Sequence, residues 1–137
     1  KNTIKELTLI NERTITIGLF MLAIGTFLGG VWANESWGRY WGWDPKETWA
    51  LVSVLVYVFI LHMRLIPALS GFYIFNLASL IGISSIIMTY FGVNYYLSGL
   101  HSYAAGDPMP IPSFVWYLLA LTIVTAILAK WKFNKYY

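Results

Sequence analysis

The sequence predicts an all-α fold: a polytopic transmembrane bundle of four membrane-spanning helices, with a tryptophan-rich outer loop or short amphipathic helix between the first two. Three observations carry this. Of 137 residues, 58% are hydrophobic and only 11% charged, with a mean hydropathy of +0.64, a balance unsuited to a water-facing surface. Four stretches approach the roughly 20 apolar residues that a crossing requires. Lys1, Lys5, Arg13, Arg64, Lys130, Lys132 and Lys135 fall on one side of those stretches and only Arg39 and Lys46 on the other, the asymmetry of a multi-pass protein with its positive side inward.

The first crossing is expected over Ile15–Trp32, with Gly25 and Gly29 at the spacing that lets two helices approach closely. The second begins at Pro45, carries the apolar run Trp49–Leu61, and reaches about Ile66 before the break at Pro67; Arg64 at its end reads as a headgroup anchor. The third is expected over Phe72–Phe91, with Asn76, Ser79, Ser84, Ser85 and Thr89 on a protein-facing side. The fourth follows Pro110 and Pro112 and ends at Lys130, Trp131 and Lys132. An even number of crossings with both termini cytoplasmic turns the loops Ala33–Asp44 and Gly92–Ile111 outward.

One transmembrane domain is expected over residues 1–137. The chain opens on Lys1 without a cleavable leader, which suggests a processed chain or the downstream part of a longer polypeptide. It has no cysteine, which excludes a disulfide framework, a thiolate metal site and a Cys-x-x-Cys-His motif within it.

The first outer loop holds Trp37, Tyr40, Trp41, Trp43 and Trp49 within thirteen residues. If this segment is helical, Trp37, Tyr40 and Trp41 share one face and form a flat shelf. Two readings compete. Tryptophan and tyrosine gather at membrane interfaces as a belt, but a belt spreads over several helix ends, whereas concentration in one glycine-punctuated loop suits a planar apolar ligand such as a porphyrin. Asp44, Pro45 and Glu47 read as an N-cap, first helical residue and N3 of a capping box; that makes the two acids structural, with direct ligand contact as the alternative.

Two histidines are present. His62 falls near the cytoplasmic end of the second crossing, where an ionisable side chain is a functional candidate; a histidine donating to a neighbouring helix is the other reading. His101 lies in the second outer loop, on the face that carries the tryptophans. Imidazole is a standard axial ligand of haem iron, and a loop histidine is otherwise usually solvated. No paired carboxylates outside the cap and no Gly-rich phosphate loop point to other chemistry.

The string Trp37-Gly-x-x-Trp41-x-Trp43-Asp44-Pro45-Lys46-Glu47-Thr48-Trp49-Ala50-Leu51 resembles the WWD signature of haem-handling proteins, in the form found in the CcsA (ResC) family of system II cytochrome c biogenesis. Leu61-His62-Met63-Arg64 and Gly99-Leu100-His101-Ser102-Tyr103 are similar to that family too, so the resemblance extends from about Gly29 to Asp107. It implies a protein of the bacterial plasma membrane, the WWD segment facing the periplasm. Such a protein passes haem b to the outer face and joins its vinyl groups to the thiols of a Cys-x-x-Cys-His apocytochrome c, as a holocytochrome c synthase (haem lyase) component.

By motif, His101 corresponds to the outer iron ligand after the WWD segment and His62 to a membrane iron ligand. Trp37, Tyr40, Trp41, Trp43 and Trp49 correspond to the porphyrin platform. The outer histidine expected ahead of the WWD segment is missing from this chain, which the resemblance attributes to truncation. The other membrane histidine is implied to come from a CcsB (ResB) partner or fused segment. The implied mechanism is positional, through proximity and orientation. Delivery of haem to a chaperone without ligation, and a non-catalytic membrane scaffold, are the competing functions.

Overall fold

The computed structural model describes residues 2–97, 99–100 and 110–136. Every regular element among them is helical. They are α1 (Asn2–Trp37), α2 (Pro45–His62) with a closing 3₁₀ turn (Met63–Leu65), α3 (Phe72–Ile87), which passes through a π-helical stretch (Met88–Gly92) into α4 (Val93–Tyr96), and α5 (Ser113–Tyr136). Among the described residues four helices are long and apolar enough to cross a membrane: Thr3–Trp37, Pro45–Leu65, Phe72–Tyr96 and Ser113–Lys135. The all-α fold with four spans therefore stands as predicted. The chain divides into two compact units, Lys1–Gly106 and Asp107–Tyr137, the first holding α1–α4 and the second α5.

Several boundaries move. The first crossing, expected over Ile15–Trp32, is the middle of a single 36-residue helix, about 54 Å long at 1.5 Å per residue against roughly 30 Å of hydrocarbon. Its polar first turns stay helical because their side chains have partners. Asn76 Nδ2 donates to Thr8 Oγ1 at 2.8 Å, and Asn11 Nδ2 donates to Asn76 Oδ1 at 2.9 Å. The end of α2 is set by Pro67, since the residue before a proline is driven out of helical geometry and Ile66 is extended at φ −99°, ψ 115°. The third crossing does not stop at Phe91 but continues through the π-helical stretch to Tyr96.

The core of the first unit is Ile60, Met63 and Phe75, with Ile15, Val56, Tyr57, Leu69 and Ala78 packed against it. It joins α1, α2 and α3 near Arg64. Arg64 itself is not the lipid anchor expected of it. Its guanidinium turns between helices, with Nε 3.1 Å from Glu12 Oε2 and the Ser70 carbonyl accepting from Nη1 at 2.5 Å.

At the other end of the unit Thr89 ties α3 to α2. Its hydroxyl shares one proton between Trp49 O (3.0 Å) and Ser85 O (2.8 Å), and so accepts from Ser53 Oγ at 2.9 Å. Ser79 and Ser85 are buried; Ser84, expected on the same side, is exposed and bonds its own helix at Ile81 O. Gly25 and Gly29 also depart from expectation: among the described residues nothing lies within 4 Å of a Cβ built at either. Close helix approach occurs instead at Gly82, where a Cβ would come 2.8 Å from Ile60 Cδ1.

Candidate functional site

The tryptophan loop begins where α1 ends. Gly38, at φ 71°, takes the left-handed conformation that terminates helices, and its N–H closes the last turn on Asn34 O at 2.8 Å. Residues 38–44 are therefore not helical. The single helical face proposed for Trp37, Tyr40 and Trp41 is not formed, because a left-handed glycine lies inside the very interval that would have to keep helical spacing.

Two edge-to-face pairs replace it. Trp37, the last residue of α1, stands 5.1 Å from Trp32 at 80°, and Trp41 stands 5.7 Å from Trp43 at 88°, an arrangement that aromatic quadrupoles favour. Trp43 adopts φ 57°, uncommon for a residue with a Cβ, and the residue is 71% exposed. Tyr40 is also exposed, and Trp49 lies half-buried in the second turn of α2.

The loop is pinned from beneath by the start of α2. Asp44 is the N-cap, Pro45 the first helical residue and Glu47 the N3 position of a reciprocal capping box. The Glu47 carboxylate accepts from Asp44 N at 3.2 Å and from Gly42 N at 2.7 Å, so one acid fixes both the helix start and the main chain between Trp41 and Trp43. Arg39 folds over Gly42 so closely that a Cβ there would meet its guanidinium at 2.8 Å.

The second loop approaches the same end. Leu100 N donates to Asp44 Oδ1 at 2.6 Å, and Lys46 Nζ donates to Asn94 Oδ1 at 3.1 Å while lying 5.9 Å from the Tyr90 ring centre. Tyr90, Phe91 and Tyr95 form a second aromatic group, with an edge contact of 5.0 Å and a stacked one of 6.5 Å. The run Tyr90-Phe91 followed by Tyr95-Tyr96 was its signal in the sequence. The Asp44–Leu100 bond joins positions 56 residues apart and has no local signal. His101 lies outside the described residues.

His62 is far from all of this. As the last residue of α2 it stands 17 residues beyond Pro45, about 26 Å along the helix, so it cannot share a site with the tryptophans. It is exposed, and its Nδ1 lies 2.7 Å from Val58 O. That bond is to its own helix, not to the neighbouring helix of the alternative reading. A carbonyl only accepts, so Nδ1 is the donor of this bond, and Nε2 is the ring nitrogen left to face a metal. Between α2 and α3 runs an open apolar groove of about 550 Å³ whose walls include Leu55, Phe59 and Ile60 from α2 and Ile81, Gly82 and Ser85 from α3; His62 does not line it. Among the described residues no three His, Asp or Glu side chains gather as a multidentate ion site would require.

A family model described as cytochrome C assembly protein matches residues 1–101. The chain belongs to the cytochrome c assembly protein family. Among curated relatives, Protein NrfI of Wolinella succinogenes is 62% identical over 107 residues, 78% of this chain and 12% of that protein. The cytochrome c biogenesis protein CcsA of Synechococcus sp. (strain CC9902) is 48% identical over 102 residues, covering 74% of this chain and 33% of the relative. The CcsA of Prochlorococcus marinus (strain MIT 9303) is 46% identical over 99 residues, 72% of this chain and 31% of its own length. This member of the cytochrome c assembly family thus spans a third or less of these relatives. The match takes in the whole tryptophan loop, α2 with His62, α3 and α4, so all the geometry above lies within the family region.

Proposed function

We propose that this chain is a haem-handling part of a system II cytochrome c synthase, holding haem b at the outer face of a bacterial plasma membrane and presenting it to a Cys-x-x-Cys-His apocytochrome c. The observation that carries this reading is the loop between α1 and α2. Its Trp41–Trp43 pair is held by Glu47 and offers an indole to solvent on a left-handed backbone. A lipid belt has no need of a fixed main chain, whereas a planar substrate gains from rigid aromatic faces. The positive-inside asymmetry supports the orientation, with this loop outward and both termini cytoplasmic.

In this mechanism haem is substrate. His101 ligates iron at the outer site and His62 Nε2 at an inner one, each opposite a histidine from outside this chain, the inner partner coming from a CcsB-type protein or fused segment. The indole loop orients the porphyrin edge so that each apocytochrome thiol adds across a vinyl group, sulfur bonding to one carbon and the proton passing to the other. Orientation supplies the acceleration. Asp44 and Glu47, engaged with backbone N–H groups, hold the site and move no protons.

The test is the full-length polypeptide purified with its partner. His101→Ala and His62→Ala should each weaken the Soret band, and holocytochrome should form on a Cys-x-x-Cys-His peptide. An unchanged band in both variants supports a scaffold instead, and haem retention without thioether formation supports delivery to a chaperone.

A further inference from the structure

Lys46 stands in the first turn of α2, at the positive end of the helix dipole, where a cation is disfavoured. Local helix stability does not select it there, and its ammonium leads elsewhere. Nζ donates to Asn94 Oδ1 at 3.1 Å, 48 residues away, and lies 5.9 Å from the centre of the Tyr90 ring. Both partners belong to the outer end of the third crossing.

That end is wound to meet it. Val93 N donates to Met88 O, five residues back, the i→i+5 bond of a π-helix. At 3.6 residues per turn Thr89 and Asn94 would point roughly 140° apart. Across the wider turn both reach α2: the Thr89 hydroxyl meets Trp49 O and Ser53 Oγ, and the Asn94 amide oxygen accepts from Lys46. From Ser53 through Trp49 to Lys46 the contacts climb α2 turn by turn, and the last of them falls three residues after Trp43.

We infer that Lys46 is a positioning residue of the outer aromatic site: through Asn94 and Tyr90 it fastens the start of α2, and with it the Trp41–Trp43 loop, to the π-helical end of α3, without touching haem itself. The inference rests on the reading that haem lies on that loop. Glu47 ties the loop to its own helix. Lys46 ties that helix start to the neighbouring crossing, and so holds the indoles at a set distance from Tyr90, Phe91 and Tyr95.

The test uses the full-length polypeptide with its partner. Lys46→Met keeps much of the side-chain length and removes both contacts, whereas Asn94→Leu removes the acceptor and leaves the ammonium. Asn94→Asp keeps an acceptor oxygen at the same reach. The readouts are Soret titration with haem b and the Soret circular dichroism of the bound haem, a signal of porphyrin coupling to nearby aromatic rings that global destabilisation alone does not change. Far-UV circular dichroism and His62-dependent haem control for folding.

Lys46→Met and Asn94→Leu should each weaken outer-site affinity by about 5- to 10-fold, the scale of one hydrogen bond, with a smaller Soret circular dichroism signal. The double variant should be no worse than either single one, and Asn94→Asp should recover the parent signal. A parent-like Asn94→Leu overturns the inference. So does a Lys46→Met loss that disappears when haem dimethyl ester replaces haem, because the ammonium would then act on the propionates directly. If Trp43→Ala leaves both readouts unchanged, the haem reading itself fails, a result separable from either of those.

Discussion

Arg64 Nε lies 3.1 Å from Glu12 Oε2, and the pair joins the end of α2 to the first turns of α1 across 52 residues. With the two side chains 21% and 32% exposed, such a pair contributes less than about 1 kcal/mol. The guanidinium does more than pair. It donates to Ser70 O and lies 5.7 and 5.3 Å from the ring centres of Phe72 and Phe75. Glu12→Gln should therefore lower the unfolding free energy in detergent by under about 1 kcal/mol, and Arg64→Met by on the order of 2 kcal/mol. Arg64→Lys should recover little of that, because one ammonium cannot serve carboxylate, carbonyl and rings together. Equal losses at Glu12 and Arg64 in equilibrium unfolding would show that the ion pair alone matters.

The glycines separate into two kinds. At Gly82 a Cβ would come 2.8 Å from Ile60 Cδ1 and 3.3 Å from the Tyr57 ring, while at Gly25 it meets nothing within 4 Å among the described residues. Gly82→Val should force α2 and α3 apart at a cost of about 1–3 kcal/mol. Gly25→Val should stay within about 0.5 kcal/mol of the parent. Thermal unfolding of the two variants side by side checks the contrast, and a large loss at Gly25 would mean that its face is covered.

These residues also mark how far the sequence could be read. The four spans were legible because hydropathy acts over 20 residues at a time, and the cap at Asp44, Pro45 and Glu47 because capping is local in sequence. Gly25 and Gly29 carried the right spacing yet meet no neighbour among the described residues, since spacing permits close approach without choosing which stripe is used. The Trp37, Tyr40 and Trp41 face failed at Gly38, where one left-handed residue cancels helical periodicity. Asp44 to Leu100, Arg64 to Glu12 and Thr89 to Trp49 join positions 40 to 56 residues apart. No local pattern encodes such pairs; they follow only once the helices are packed.

The Ser53–Thr89–Trp49 connection offers a measurement of coupling. Ser53 is fully buried, and its hydroxyl reaches Thr89 at 2.9 Å. Hydrogen bonds between helices in a bilayer average about 0.6 kcal/mol in double-mutant cycles, up to about 1.7. Ser53→Ala, Thr89→Val and the double variant should return a coupling in that range. Strict additivity in the unfolding free energies would indicate that the two hydroxyls act independently of each other.

Trp43 is where stability and binding should pull in opposite directions. A side chain at φ 57° carries a left-handed cost of about 1–2 kcal/mol, which glycine escapes while losing some backbone entropy in exchange. Trp43→Gly should therefore be more stable than Trp43→Ala by about 1 kcal/mol, the reverse of the order found inside helices. Both variants remove the exposed indole, so both should lose haem to the same degree despite that gap. Unfolding and Soret titration of the pair decide the matter. If the alanine variant kept its haem while the glycine variant lost it, the fixed backbone rather than the ring would carry the affinity, and the indole platform would have to be given up.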